Sequence, residues 1–400
     1  MGGTIMEWKT TWSYLLIDYN SSIGTIENLT QRTVFRNNLS GEKIRIRFSN
    51  LFSDKPLILE SVVISKKERG GEEITNFTPV TYKGNTKITI EPRKEFYSDP
   101  VDFSINFNED IVVSVYIKEK NDIYAGCSSW SAKCFTTRYG IGGDFTREQS
   151  FKEYDSYDVF PALKSDPNKS DEVIGFTSLE VYTDENVKTL SLFGDSITHM
   201  SYYSDALTDK LYKLLPGKIT VLNRGISGNR LLHDHTVVPE IIGGGSIFGD
   251  AGVKRFEKDV YKYETPEYVI MLIGVNDFMH PYAFNHIEEV VTVDQYKEGC
   301  LKIIETAHRH SSKIFLGTIM PFRHEENDWF EKAEKLRLEA NHFIRTQKVA
   351  DGVIDFDSAV RDEENPQYIK DGLHLGDGLH PNTPGGIKMA DAIPVEWFIK

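Results

Sequence analysis

Cysteine is scarce in this 400-residue chain: Cys127, Cys134 and Cys300 are an odd, low count that argues against a disulfide framework and for unpaired packing thiols. Positive charge is short as well. Lys and Arg number 46 against 60 Asp and Glu, a net charge of −14 with no basic run along the sequence, which excludes nucleic-acid binding as a main activity. Long apolar stretches are missing; runs such as Tyr268–Ile273 are strand-sized, so no membrane insertion is expected. The opening MGGTIMEWKTTWSYLL lacks a basic segment followed by a long apolar one, which predicts no secretory signal and a cytoplasmic protein. Internal repeats and low-complexity linkers are absent. What is there, 40% hydrophobic and 26% charged residues, is the composition of a globular protein long enough for an enzyme core and an accessory module.

Two halves differ in period. Up to about residue 185, KIRIRFS (Lys43–Ser49), KITIEP (Lys87–Pro92), VDFSINF (Val101–Phe107) and IVVSVYI (Ile111–Ile117) alternate at period two or are β-branched runs. Ser40-Gly41, Gly70-Gly71 and Gly84-Asn85 punctuate them as hairpin turns. No long amphipathic helix is visible, and the pattern predicts an all-β sandwich or jelly-roll-like domain over residues 1–185. The Asp- and Lys-rich stretch Lys164–Glu172 reads as a surface loop. From about Asn186, strand-length apolar runs stand at Thr189–Phe193, Ile219–Leu222, Tyr268–Ile273, Lys313–Ile319 and Gly352–Phe356. Helix-like segments alternate with them at Tyr203–Leu215, Gly252–Tyr261, Asp294–His308 and Trp329–Gln347, with a last helix from about Thr383 to Ile393. That alternation predicts an α/β domain over residues 186–400, a five-stranded doubly wound parallel sheet between helices.

In such a sheet ligands bind outside the carboxyl ends of the strands, so the residues just past each strand are the ones to inspect. The first strand runs into Gly194-Asp195-Ser196-Ile197-Thr198 and the second into Asn223-Arg224-Gly225-Ile226-Ser227-Gly228-Asn229. Gly274-Val275-Asn276-Asp277 follows the third, and Asp377-Gly378-Leu379-His380-Pro381 precedes the final helix. A lone GDS would be weak, but these four blocks, in this order and spacing, resemble those of the SGNH (GDSL-type) hydrolase family. The segments QRTVFRNNLSGEKIRIRFSN, GISGNRLLHD, FDSAVRD and DGLHPNTPGG further resemble a subgroup with an N-terminal β module, which extends the resemblance over nearly the whole chain. The resemblance implies a flavodoxin-like fold for the second half and a serine esterase that uses no cofactor and no metal.

The residue types fit that chemistry. A serine hydroxyl becomes nucleophilic when a base takes its proton, and a histidine with an unperturbed pKa of about 6.5 can do so at neutral pH. Ser196 is accordingly the candidate nucleophile, and His380 the general base and later the general acid to the leaving alcohol. Asp377, three residues earlier, can fix the imidazole's tautomer and stabilise the imidazolium. The resemblance places the oxyanion donors at the backbone N–H of Ser196, the backbone N–H of Gly228 and the side-chain amide of Asn276. Taken alone, a serine after Gly-Asp would as readily cap a helix. Asp195 and Asp277 read as structural hydrogen-bond acceptors in their loops. Asp371-Gly372-Leu373-His374 repeats the DGLH tetrapeptide six residues before the second copy, so either histidine could serve. The helix entry Pro381-Asn382-Thr383-Pro384 favours His380 and leaves His374 as a loop residue near the site mouth.

Other constellations fall short. His233-Asp234-His235 and His308-Arg309-His310 lack a third ligand at diagnostic spacing, and His324-Glu325 lacks the second histidine of a zincin. Gly243-Gly244-Gly245 matches neither phosphate-loop pattern and reads as a flexible loop near the site rim, and no G-x-S-x-G elbow is present. Relatives in the subgroup often follow the first block with an acidic residue and glycine; here Thr198-His199-Met200-Ser201-Tyr202-Tyr203 follows, which bears on the acyl or alcohol pocket. Tyr202 and Tyr203 suit sugar stacking and packing equally. The expected activity is hydrolysis of small acyl esters, carbohydrate O-acetyl groups first, on a small-molecule or glycan substrate. Its motives are the β module with Trp8, Trp12 and Trp130 as exposed-type aromatics and the lack of a long apolar lid. A lysophospholipase, thioesterase or short-chain lipase on the same residues is the alternative, and a carbohydrate-binding protein with an inactive hydrolase domain is a third reading. A purely structural role for the β module stands level with glycan binding. The missing basic run leans toward a neutral ester over one with an anionic headgroup or a coenzyme A phosphate, and oligomeric state is open.

Overall fold

The structure, a computed structural model, describes residues 5–323 and 328–399; His324-Glu325 lie outside the described residues. Period-two alternation builds the first half. Its longer strands are β1 (Met6–Ser13), β2 (Leu29–Phe35), β3 (Gly41–Ser49), β4 (Ser61–Glu68) and β5 (Thr75–Pro79). They continue with β6 (Glu95–Tyr97), β7 (Val101–Ile105), β8 (Glu109–Ile117), β9 (Phe135–Ile141) and β10 (Phe176–Asp184). Two antiparallel sheets result, one in the order β1-β10-β3-β6 with β7 also on β3, the other in the order β9-β2-β8-β4-β5.

Side chains alternate across a strand, so Phe35, Ile111, Val113 and Phe135 turn to one face of the second sheet, where all are buried. Trp12 and Phe176 of the first sheet meet them, with ring centroids 4.4 Å from Trp12 to Phe35, 5.5 Å to Phe135 and 6.0 Å to Phe176. Trp12 is therefore a core residue at 3% exposure, against the expectation of an exposed aromatic. Trp8 is half-buried against Tyr182, and Trp130 is half-buried with its indole N–H donating to Asp166. The stretch expected as a surface loop ends instead in a short strand, Asp171–Val173, paired with Ala125–Ser129. Glu172 within it is fully buried and accepts the hydroxyls of Tyr19 and Ser128. Burial pushes its carboxyl up to about 7, and internal donors explain how so polar a segment can be core. Cys127, Cys134 and Cys300 are in no disulfide, and Cys127 and Cys300 are buried.

In the second half β11 (Lys188–Gly194), β12 (Ile219–Gly225), β13 (Tyr268–Leu272), β14 (Lys313–Gly317) and β15 (Gly352–Ile354) form a parallel sheet in the order β12-β11-β13-β14-β15. This is the flavodoxin-like order, with its switch point between β11 and β13. Leu190, Leu192, Val269, Ile270, Ile314 and Leu316 are all buried, and so are Thr189 and Ser191 between and beside the two leucines, as a sheet covered on both faces requires. The helices are α1 (Ser196–His199), α2 (Tyr202–Leu214), α3 (Gly252–Tyr261), α4 (Val275–Ala283), α5 (Val293–Arg309), α6 (Phe330–Thr346), α7 (Phe356–Val360) and α8 (Thr383–Asp391). Helix α4 is absent from the sequence reading, because Pro281 and the short span Val275–Ala283 give little helical signal. By compactness the chain divides into Met1–Lys188 with Tyr212–Leu222, and Thr189–Leu211 with Asn223–Lys400. No described helix is long and apolar enough to cross a membrane.

Candidate active site

At the switch point the chain leaves β11 at Gly194 and enters α1 at once. Asp195 does the capping: its carboxylate accepts the N–H of Ile197 at 3.0 Å. Ser196 thus stands at the first helical position with its hydroxyl not engaged as a cap. Asp195 is almost fully buried, and burial pushes its carboxyl up to about 7 against the opposing pull of the Ile197 N–H and His380.

The last block meets Ser196 from the far end of the sequence. Asn382 caps α8 by accepting the N–H of Gly385 at 3.0 Å, which fixes where the preceding loop must run. Asp377 Oδ1 accepts the N–H groups of Leu379 at 3.0 Å and His380 at 2.9 Å, a tight turn that orients its own carboxylate. Its Oδ2 lies 2.6 Å from His380 Nδ1, and His380 Nε2 lies 2.8 Å from Ser196 Oγ. Burial works against ionisation of Asp377, but the imidazole and the two N–H groups outweigh it and hold the carboxyl well below the usual carboxylate range. An ionised carboxylate on Nδ1 keeps the proton there and leaves Nε2 facing the serine as an acceptor.

The structure joins His380, not His374, to Ser196. His374 Nδ1 instead accepts the N–H groups of Gly376 at 3.0 Å and Gly378 at 3.1 Å. The first DGLH copy thereby shapes the loop that carries the second.

In the second block, Gly228 has φ +74°, and a Cβ there would lie 2.0 Å from Phe248 Cδ1. Both facts demand glycine. The Phe248 ring is delivered by Gly243-Gly244-Gly245, whose φ values of +68°, +66° and +97° make this a specific turn rather than slack chain. That ring packs on His280 at 5.0 Å between centroids, and burial drives the His280 imidazole down to about 3, so it is neutral. Asn229 joins these pieces: its side-chain NH₂ donates to the carbonyls of Phe248 at 2.7 Å and Asp250 at 2.8 Å. Its own carbonyl accepts one N–H of the Asn276 amide at 3.0 Å, which orients that amide and leaves its second N–H for another acceptor. Asp277 sits in the first turn of α4 and accepts the N–H groups of Leu231 at 2.7 Å and Leu232 at 3.0 Å. Burial pushes its carboxyl up to about 6. Among the described residues, the N–H groups of Ser196 and Gly228 have no protein acceptor.

One positioning residue escapes the sequence reading. Arg255 on α3 is buried and donates to the carbonyls of Gly194 at 2.8 Å and Arg224 at 3.0 Å, to Asn229 Oδ1 at 2.8 Å and to Asp259 at 3.0 Å. A single guanidinium thus ties the residue before the Asp195-Ser196 turn to the end of β12 and to the loop that carries Gly228. The available signal is its place on the buried face of α3, shared with Gly252, Phe256 and Val260.

The remaining candidates resolve simply. Tyr203 is buried with its hydroxyl 3.0 Å from Thr198 Oγ1, a packing role, whereas Tyr202 is half-buried. His308 pairs with Asp351 at 2.9 Å and His310 with Glu257 at 3.0 Å, both at the end of α5. Among the described residues one trio, His286, Glu288 and Glu289, brings ligand-type atoms within 4.8 Å; Glu289 is already paired with Arg230 and His286 with Glu288.

Residues 192–385 match the GDSL-like lipase/acylhydrolase family. Similar solved structures include LAE5, an α/β-hydrolase enzyme from the metagenome of Lake Arreo, Spain, at 19% identity over 51% of this chain and 92% of that one, with a TM-score of 0.39. TesA is 17% identical over 53% of this chain and 98% of its own, with a TM-score of 0.36. A variant of Axe2, an acetyl xylan esterase from Geobacillus stearothermophilus, is 20% identical over 51% and 92%, with a TM-score of 0.36. A search of the curated proteins finds no match to this chain.

Proposed function

From the premise that residues 192–385 are a GDSL-like lipase/acylhydrolase domain, and so an ester-hydrolysing enzyme, we propose that Ser196, His380 and Asp377 cleave small acyl esters, O-acetyl groups on carbohydrates first. The observation that carries this reading is the unbroken line from Asp377 Oδ2 through His380 to Ser196 Oγ, at 2.6 Å and 2.8 Å. His380 Nε2 takes the hydroxyl proton as Ser196 Oγ bonds to the ester carbonyl carbon, and Asp377 stabilises the imidazolium. The N–H groups of Ser196 and Gly228 and the second N–H of Asn276 are the donors for the oxyanion, each typically worth about 3 kcal/mol in the transition state. As the tetrahedral adduct collapses, the alcohol leaves with the proton from His380. Water, deprotonated by the same nitrogen, then releases the acid and restores Ser196. A short acyl group is favoured because the Phe248 ring lies against Gly228 and fills the space beside that donor. In this reading residues 186–400 are the catalytic domain and residues 1–185 an accessory one.

The test joins two measurements. Ser196→Ala lowers hydrolysis of p-nitrophenyl acetate by at least about 10³-fold and abolishes labelling by a fluorophosphonate probe; unchanged turnover would overturn the mechanism. Across p-nitrophenyl esters the wild type prefers acetate, and a preference for acyl chains of about eight carbons or more would replace the acetyl-ester reading with a lipase or thioesterase.

A further inference from the structure

The esterase reading leaves the outer face of the second β sheet without a use. The alternation that sends Phe35 and Phe135 into the core sends Arg32 and Val34 outward on β2, with Arg36 next in phase, and the register sets Arg138 of β9 directly opposite Arg32. Lys67 of β4 stands opposite Asp110 of β8 on the same face. With Arg69, Lys133 and Glu153 they line a groove of about 470 Å³, six cations against two carboxylates among the described residues. Like charges directly opposite destabilise a sheet, and here Arg138 is offset within the chain by Asp171 at 2.9 Å and Glu153 at 3.9 Å.

Two of these cations have neutral hydrogen-bond partners. Arg32 donates to the carbonyls of Phe145, Glu148 and Gln149 and to the Ser114 hydroxyl, and Lys67 donates to the carbonyl of Gly71. Such bonds satisfy N–H groups without cancelling charge. Arg69 meets Asp110 at 3.2 Å, and with Asp171 the carboxylates at the groove number three against six cations. In a chain of net charge −14, this concentration of positive charge is local and assembled from separate strands.

We propose that this groove binds a polyanionic oligosaccharide, a sugar chain carrying repeated carboxylate or sulfate groups. Guanidinium forks match both anions bidentately, and the volume falls in the range of small-ligand sites, about 300–1,000 Å³. Among the described residues no aromatic side chain lines the groove, so they provide no stacking platform of the kind single-stranded nucleic acid uses. The proposal stands independently of the role of Ser196.

Calorimetric titration of the full chain with trigalacturonate, a heparin-derived tetrasaccharide, xylotriose and oligothymidylate tests it, at about 20 mM and about 200 mM salt. One or both acidic sugars bind, the neutral sugar does not, and affinity falls at least about tenfold at the higher salt. The tighter of the uronate and sulfate arms identifies the anion. Lys67→Glu with Lys133→Glu lowers that affinity at least about tenfold and leaves p-nitrophenyl acetate turnover unchanged. Lys133→Glu alone, at an exposed position, lowers it in the same direction and serves if the double variant fails to fold. No binding of either acidic sugar, binding indifferent to these substitutions in a folded protein, or tighter binding of oligothymidylate overturns the proposal.

Discussion

Ser196 owes its position to the residue before it, since Asp195 takes the cap and is itself drawn out of water by doing so. An acid whose carboxyl is raised from about 4 when unfolded to about 7 in the fold contributes stability fully present below about pH 4 and lost as pH rises toward 7. Asparagine caps as well as aspartate and does not titrate. Asp195→Asn is therefore expected to flatten the decline of melting temperature between pH 4 and 8, and a variant that tracks the wild type throughout that range would refute the assignment. The two DGLH histidines separate in the same way. His380→Ala abolishes esterase activity, whereas His374→Ala leaves two N–H donors without their acceptor, lowers stability by about 1–3 kcal/mol and leaves measurable turnover; rates and melts on both variants check this. At this scale the sequence was legible where chemistry restricts residue type, as at Ser196, Asn276, Asp377 and His380. It was silent on Arg255 and on the imidazole of His374, whose partners include backbone groups that only the fold brings within reach.

Between residues and fold stand the turns that hold the donors. Gly228 and Phe248 form a coupled pair, twenty residues apart in sequence and in van der Waals contact. Gly228→Ala is expected to reduce kcat/KM by about 10²-fold or more, since the proposed mechanism makes its N–H an oxyanion donor and the change displaces it. Adding Phe248→Ala relieves the clash but not the positive φ, so steady-state kinetics on the double variant show partial recovery. Arg255→Met removes the brace between the Gly194 carbonyl and Asn229 and leaves those acceptors buried; kcat falls more than KM changes, and the melting temperature drops by several degrees. Equal loss in Arg255→Lys would point to the guanidinium fork rather than to charge. The strands and most helices were legible because period two and buried runs are local signals. Helix α4 was not, because the residues that make it useful, Asn276 and Asp277, are polar groups tethered to a neighbouring loop rather than parts of an apolar stripe.

For the whole chain, the shift in period near residue 186 was enough to divide an antiparallel half from a parallel one. Counting charges was not enough to find the cationic groove, since Arg32, Lys67 and Arg138 are scattered in sequence and meet only through strand register. The same holds for Glu172, whose burial rests on donors more than forty residues away. Strand β1 is the extreme of this non-locality. Met6 faces Asp184 and Ser13 faces Ser178, so the first described strand pairs with the last long strand of its half. During synthesis β1, with Trp8 and Trp12, must wait without its partner until β10 has left the ribosome, an interval in which its bare edge is open to other chains. Closure of the first sheet is thus a late, long-range event set by the pace of translation, and slowing elongation ahead of residue 176 would lengthen the period of greatest exposure to aggregation.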